Sequence, residues 1–387
     1  MNRHNSNGVY SPMKTNQNKL MAATALLLLG IAAAQAAQPL TSLQRGVDEV
    51  LVKSTAPGLN GGTARLYVRQ VSAVKPKEKI PVLFVHGAGT PAEVAFDVPV
   101  AGYSWMEYLA EHGFTTYATD MTGYGRSTRP PQMGDRCNLS TEQQQQEFPD
   151  VCAATYASAL TTMASDWDDI DAVVEFLRKK HKVSKVNLVG WSQGGPRTAG
   201  YAALHPDKVS AVVILAPAYN RQAAATEAEA PIAGVALTKQ SQQDFLKQWE
   251  GQTGCVNQYD PTVAAAVWKD MLESDPVGAK WGTGVRRAPR VPTFGWTPTQ
   301  VAATRTPIML VTGLTDGQVN PERVREMYAD LGASKKVLIE LPCASHNAMW
   351  EHGNERLFDA SYQWLHATRY QGKTTGKFVL ESELAKK

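Results

Sequence analysis

A chain of 387 residues, 43% hydrophobic and 19% charged, has the composition of a globular protein, which argues against disorder. The formal net charge is +3; the first 36 residues contain Arg3, Lys14 and Lys19 and no acid, so the rest of the chain is near neutral. Nucleic-acid binding needs a clustered basic face, and this balance makes no case for one.

The apolar run LMAATALLLLGIAAA, Leu20 to Ala34, follows Lys14 and Lys19 and precedes the small-x-small triplet Ala34-Gln35-Ala36. It is too short to span a bilayer comfortably, and it reads as a secretory signal over residues 1–36 with cleavage near Ala36 or Ala37. Met1 and Met13 both remain possible starts. The expectation is a secreted or periplasmic protein with no stable membrane anchor after cleavage. In an oxidising compartment the four cysteines are expected to pair. Cys137 and Cys152 flank one short polar excursion and are the favoured pair, which leaves Cys255 with Cys343. Without a C-x-x-C motif or a Cys/His cluster, no metal site is expected.

Taken in chain order, GVDEVLVKS and TARLYVRQVSA alternate as strands around Pro57-Gly58 and Asn60-Gly61-Gly62. Ile80 to Val85 is a continuous apolar run, as suits a strand buried on both faces, and it ends in His86-Gly87-Ala88-Gly89. A helix is expected over Trp105 to His112 and a strand over Phe114 to Thr119. A polar insertion follows, from Thr128 to about Val151. Asp166 to Lys180 forms a helix with acids early and bases late, matching the helix dipole. Strand Val186 to Val189, helix Gly194 to Leu204 and strand Val209 to Leu215 come next.

The alternation stops between residues 217 and 305, where helical patches at Gln242 to Trp249 and Pro261 to Leu272 share the segment with Trp249, Trp268, Trp281 and Trp296. It resumes with strand Pro307 to Thr312, helix Pro321 to Leu331, strand Lys336 to Leu341 and helix Glu355 to Ala367. Alternating buried strands and helices imply an α/β fold with a doubly wound, mostly parallel sheet of about eight strands. Its core is residues 37–216 and 306–370, a helical cap of residues 217–305 is inserted after the sixth strand, and a polar, loose tail follows over 371–387.

Gly190-Trp191-Ser192-Gln193-Gly194 matches G-x-S-x-G between a strand and a helix, the context in which that motif exposes a nucleophile. A serine hydroxyl needs a base. His346, on the loop five residues after the last buried strand, is preferred over His352, which enters the next helix. The base needs an orienting carboxylate. Asp316 stands just past PIMLVT, whereas the end of VSAVVIL carries no acid and Glu340 lies within its strand. The order Ser192, Asp316, His346 is that of one known architecture. Two backbone N–H groups must face the developing oxyanion: Gln193 supplies one and Ala88 the other, with Gly87 or Gly89 as alternatives for the second. His86 is expected to brace this loop. Trp191 and Gly87, beside the nucleophile, are candidate substrate contacts.

With the His86-Gly87 loop, DMTGYGRS at Asp120 to Ser127, the Ser192 elbow, Asp316 and His346, the chain resembles the α/β-hydrolase superfamily from about Gly46 to Ala367. DMTGYGRS is similar to the D-x-x-G-x-G-x-S stretch of the capped branch that includes, beside many esterases, the epoxide hydrolases and the dehalogenases. Those two carry an aspartate nucleophile. Ser192 in that place points instead to acyl-group hydrolysis. The resemblance implies an eight-stranded core with a helical lid after the sixth strand. The expectation is a carboxylesterase with no metal or organic cofactor, acting on an apolar or aromatic small-molecule ester. Amide hydrolysis of the proline iminopeptidase type, lactone hydrolysis and a non-catalytic binding protein are the alternatives, and the oligomeric state is left open.

Overall fold

A computed structural model describes residues 42–222, 229–289 and 296–384. The signal reading of residues 1–36 lies outside the described residues. Among the described residues, no helix is long and apolar enough to cross a membrane.

Among the described residues, eleven strands form two sheets. Those of the large sheet are β1 (Leu43–Lys53), β2 (Thr63–Ala73), β3 (Val82–Val85), β4 (Thr115–Thr119), β5 (Val186–Trp191), β6 (Val209–Leu215), β9 (Ile308–Gly313), β10 (Lys336–Leu341) and β11 (Thr375–Val379). The other two, β7 (Thr238–Ser241) and β8 (Gly284–Arg287), form an antiparallel ribbon between β6 and β9. The large sheet runs β1-β2-β4-β3-β5-β6-β9-β10-β11. β1, β2 and β4 pair antiparallel, and every pairing from β4 onward is parallel.

The helices are α1 (Ala92–Phe96), α2 (Trp105–Glu111), α3 (Thr141–Glu147), α4 (Met163–His181), α5 (Gly194–Leu204), α6 (Gln242–Glu250), α7 (Pro261–Ser274), α8 (Pro298–Ala303), α9 (Pro321–Asp330) and α10 (Glu355–Ala367). They cover both faces of the sheet. Side chains alternate across a strand. Accordingly Phe84, Val213 and Met309 pack in one apolar cluster with Trp105 of α2 and Trp364 of α10. Leu83, Val212, Ile214 and Leu310 enter the opposite cluster with Ile170 of α4, Tyr201 of α5 and Val324 of α9. Burial on both faces explains why these strands read as unbroken apolar runs.

The sheet differs from the expectation at its far edge. The tail does not end loose: Thr375–Val379 pairs parallel with β10, Lys336 opposite Thr375, and Phe378 packs on Tyr370 with ring centroids 5.0 Å apart. An edge strand with exposed Thr375, Lys377 and Val379 lacks the apolar run that marks the inner strands.

The polar excursion also has more structure than a surface insertion. α3 is capped by Ser140, the Cys137–Cys152 disulfide closes the segment, and Gln144 donates to the carbonyls of Leu139 and Cys152. Gln143 exchanges two hydrogen bonds with the backbone of Lys239, and Arg286 donates to the Met133 carbonyl at 2.7 Å. The excursion thereby supports the β7-β8 ribbon.

Candidate active site

Parallel strands place the loops at their carboxyl ends on one rim of the sheet, and the order around β4-β3-β5 reverses there. Three such loops, after β5, β9 and β10, carry the candidate residues, and a fourth, after β3, faces them.

Ser192 follows β5 at φ 59°, a left-handed conformation that a non-glycine residue adopts only where the surroundings enforce it. Its N–H donates to Leu215 (2.9 Å), while its carbonyl accepts from Gly195 (2.9 Å) and Ala218 (3.0 Å). The turn is so tight that a Cβ at Gly190 would overlap the Gly194 carbonyl, and one at Gly194 would overlap that of Val85. This is the physical reason for small residues two positions on either side of the serine. Ser192 itself remains half-buried on the wall of a cavity of about 280 Å³.

Asp316 and His346 belong to adjacent loops that are zipped together. Leu314 N–H donates to Leu341 (2.9 Å), and Thr315 donates to the Ala344 carbonyl through both its N–H (3.0 Å) and its hydroxyl (2.9 Å). The His346 Nδ1 lies 2.9 Å from Asp316 Oδ2, and both side chains are almost wholly buried. Asp316 Oδ1 accepts from the N–H groups of Gln318 and Val319, each at 2.8 Å, so this carboxylate is fixed from both sides. Trp191 holds the histidine from behind: its indole N–H donates to the His346 carbonyl at 2.8 Å. His346, Trp191 and Ser192 line the same cavity. The alternatives lie elsewhere. His352 is partly exposed and faces Asp260 at 3.8 Å, and Glu340 accepts from Arg325 at 2.6 Å.

The loop after β3 is held by a buried ion pair. Arg197 Nε donates to Asp166 at 2.7 Å, and its Nη1 donates to the carbonyls of His86 and Gly87, each at 2.9 Å. His86 adds a second contact, Nδ1 to the Gly87 carbonyl at 2.7 Å, while its Nε2 accepts from Met121 N–H at 3.1 Å. Burial, reinforced by the Arg197 charge, holds this imidazole well below its ordinary pKa, so it is neutral and structural.

In a trans peptide the N–H points opposite to the preceding C=O. Holding the Gly87 carbonyl against Arg197 therefore turns the Ala88 N–H the other way. The Ser192 carbonyl, held by Gly195 and Ala218, does the same for the Gln193 N–H. Ala88 and Gln193 both line the cavity. Gly87 does not: it packs behind the serine, where a Cβ would stand 3.0 Å from that of Ser192.

DMTGYGRS proves to be a brace. Asp120 accepts from the N–H groups of Ala92 (2.7 Å) and Arg126 (2.9 Å), and Ser127 ties its own turn to Tyr67. Burial pushes the Asp120 carboxyl up to about 6 against those two donors. None of the four tryptophans of residues 217–305 reaches the cavity wall. Trp249, Trp268 and Trp296 are buried in the packing, and Trp281 meets Phe148.

The wall holds residues that sequence reading did not single out: Phe245, Val319 and Trp350 on its apolar part, and Gln240, Gln248 and Arg287 on its polar part. They come from the cap, from the loop after Asp316 and from the segment after His346. No motif links them.

The His346 loop is also anchored to the cap. Glu351 is buried and accepts from the N–H and hydroxyl of Ser345, from the Trp249 indole (2.9 Å) and from Gln258 (2.9 Å); burial raises its pKa against these donors. The Cys255–Cys343 disulfide joins the same two segments across 88 residues. Closing a loop of that size contributes about 4.5 kcal/mol in the chain-entropy treatment. Replacing Cys255 and Cys343 together by serine is expected to lower the melting temperature and to reduce ester turnover at least several-fold. Thermal melts and initial rates of the double variant check this, and unchanged values for both would contradict it.

Over residues 80–353 the chain matches the family described as alpha/beta hydrolase fold. With that match covering most of its length, the chain belongs to the α/β-hydrolase fold family. Among curated proteins, a 46-residue stretch is 52% identical to the poly(3-hydroxyalkanoate) polymerase subunit PhaC of Allochromatium vinosum, covering 12% of this chain and 13% of that protein. A 69-residue stretch is 32% identical to the probable secreted lipase phiG of a fungal species, covering 18% of this chain and 19% of the lipase. The chain thus matches less than a fifth of the length of either relative. Among solved structures, a thermophilic esterase from Thermogutta terrifontis superposes with TM-score 0.52 at 17% identity, over 84% of this chain and 100% of that one. An esterase from Exiguobacterium antarcticum does so with TM-score 0.52 at 14% identity, over 83% of this chain and 100% of that one. At such identities the likeness is one of fold.

Proposed function

We propose that the protein is an exported serine esterase that cleaves a small carboxylic ester through Ser192, His346 and Asp316. One observation carries the reading: a serine at φ 59° shares a cavity wall with a histidine whose Nδ1 is held by a buried aspartate. In this reading Ser192 Oγ attacks the ester carbonyl and His346 Nε2 takes its proton. The oxyanion is stabilised by the N–H groups of Ala88 and Gln193. His346 then protonates the departing alcohol, and water cleaves the acyl-enzyme by the same route. Asp316 keeps the Nδ1 proton in place and stabilises the imidazolium. The apolar part of the wall, Trp191, Phe245, Val319 and Trp350, suits a short hydrocarbon chain. Export is supported by the N-terminal apolar run and by two disulfides.

An aminopeptidase-type reading requires a carboxylate in the cavity to hold a substrate amine. Neither Glu229 nor Glu250 lines it, and Glu227 lies outside the described residues. Turnover of p-nitrophenyl butyrate set against alanyl and prolyl naphthylamides tests the choice. The ester is expected to be cleaved at least 100-fold faster; preference for a naphthylamide would overturn the esterase reading.

A further inference from the structure

We propose that the groove beside the Ser192 cavity binds a sugar, so that the ester cleaved is a short acyl group on a carbohydrate hydroxyl. This rests on the esterase reading of Ser192 and specifies the alcohol part of its substrate.

The cavity does not end at its mouth. Gln240, Gln248 and Gln318 line it and also line a second, more open groove of about 550 Å³, between α6 and the loop after Asp316. The side chains of this groove are four glutamines with one acid, Asp244, and one base, Lys247, both exposed. The Ser241 hydroxyl donates to Asp244 at 2.7 Å.

The amides are the observation that points to a ligand. In β7, Lys239 reaches away from the cavity to Glu147 (2.5 Å) and to the Gly282 carbonyl (3.1 Å). Alternation along the strand turns its neighbour Gln240 to the cavity side. Gln240 is only 8% exposed, and among the described residues nothing forms a hydrogen bond with its side-chain amide. A buried amide without a partner costs stability, and folded proteins keep few of them. Gln248 Nε2 donates to Gln318 Oε1 at 3.0 Å, which leaves the Gln248 oxygen and the Gln318 amino group for a ligand. The wall therefore offers donors and acceptors side by side. A carboxylate answers only the donors, an ammonium only the acceptors, and a hydrocarbon neither. A hydroxyl answers both, and neighbouring hydroxyls on one ring repeat the pattern.

The groove also stands where the alcohol departs. In the proposed reaction His346 gives its proton to the leaving oxygen. Gln252 Oε1 accepts from Gly317 N–H (3.0 Å) and from His346 N–H (3.4 Å), so one side of the groove is built onto the loops that carry Asp316 and His346. The acyl chain is left to the apolar wall of Trp191, Phe245 and Trp350. A groove of this volume takes a ring rather than a three-carbon alcohol.

The experiment compares two pairs of esters matched in size. Butyrate esters of methyl glucoside and methyl xyloside are set against cyclohexylmethyl butyrate and cyclohexyl butyrate. The quantity read is the sugar-to-apolar ratio of kcat/KM for the wild type, Gln240→Met, Gln248→Met and the double variant. The expected ratio in at least one pair is about 10 or more for the wild type, and it falls about 3-fold or more in each single variant and about 10-fold or more in the double variant. Gln248→Met, at a half-buried helix position, keeps the test open should the buried Gln240→Met chain fail to fold. A second arm needs no turnover: calorimetric binding of the two sugar esters to Ser192→Ala, with and without each glutamine replacement. A loss of affinity of about 3-fold or more per replacement is expected for at least one ester. Apolar esters turned over as fast as sugar esters, or a ratio that the replacements leave unmoved in both pairs, would overturn the sugar groove and leave the esterase reading intact. Preference for glyceryl monobutyrate over pentyl butyrate, with none in the sugar pairs, would put glycerol in place of the sugar and overturn the proposal as well. Glutamine-dependent binding of a sugar ester without cleavage of any ester would keep the groove and overturn the esterase reading. Neither binding nor cleavage would overturn both.

Discussion

Replacing Ser192 by alanine is expected to lower the rate of p-nitrophenyl butyrate hydrolysis by about four powers of ten or more, with the fold intact. The size of the effect follows from what remains. Without Oγ no acyl-enzyme forms, and the cavity retains only the Ala88 and Gln193 N–H groups and general binding. Stability should change little, because the strain sits in the Ser192 backbone and its N–H and C=O partners, Leu215, Gly195 and Ala218, are untouched. Comparing initial rates and melting temperatures of the two proteins checks both halves. A surviving rate within tenfold of the wild type would remove Ser192 from the chemistry.

The second large effect is expected from Asp316→Asn: a loss in kcat of about 10³–10⁴ with KM little changed. The surrounding donors explain why so small a change matters. Oδ1 already accepts from Gln318 and Val319, so the asparagine oxygen must occupy that position. Its NH₂ group is then left facing His346 Nδ1, where Oδ2 now stands at 2.9 Å. Nδ1 has to become the acceptor, the proton moves to Nε2, and Nε2, the nitrogen proposed to take the serine proton, can no longer do so. Steady-state kinetics on the ester separates the two parameters. A rise in KM at unchanged kcat would mean that Asp316 serves binding alone.

Much of this arrangement is legible in the sequence because it depends on local order. VNLVGWSQGG reads as strand, turn and helix, and the glycines at 190 and 194 are required by direct overlap with the carbonyls of Gly194 and Val85. Asp316 and His346 lie shortly after apolar runs, and the parallel pairing of β9 with β10 brings the two loops side by side. Helices α5 and α10 occupy Gly194–Leu204 and Glu355–Ala367, the spans expected from their apolar periodicity.

What escaped has a physical reason in each case. β7 and β8 have four residues each, with Lys239, Gln240, Arg286 and Arg287 among them, and their pairing spans more than forty residues of chain. Such strands carry no apolar signal of their own. The cap tryptophans suggest an aromatic pocket, but a buried indole fills a core as readily as it lines a cavity, and Trp249, Trp268 and Trp296 do the former. β11 is an edge strand whose polar residues face solvent. Arg197 lies in an apolar-looking helix, and its role appears only when its guanidinium meets Asp166 and the two loop carbonyls. The candidate residues Ser192, Asp316 and His346 were legible from position along the chain, while those that shape the pocket depend on contacts between distant segments.

Everything in the proposed chemistry depends on Ser192 being a nucleophile activated by His346. Labelling with a fluorophosphonate, followed by mass spectrometry of the Ser192 peptide, tests it most directly. One stoichiometric adduct on Ser192 is expected, formed together with loss of ester turnover and slowed by several powers of ten in His346→Ala. Full ester turnover persisting after exhaustive labelling, or an adduct that forms equally fast without His346, would contradict it.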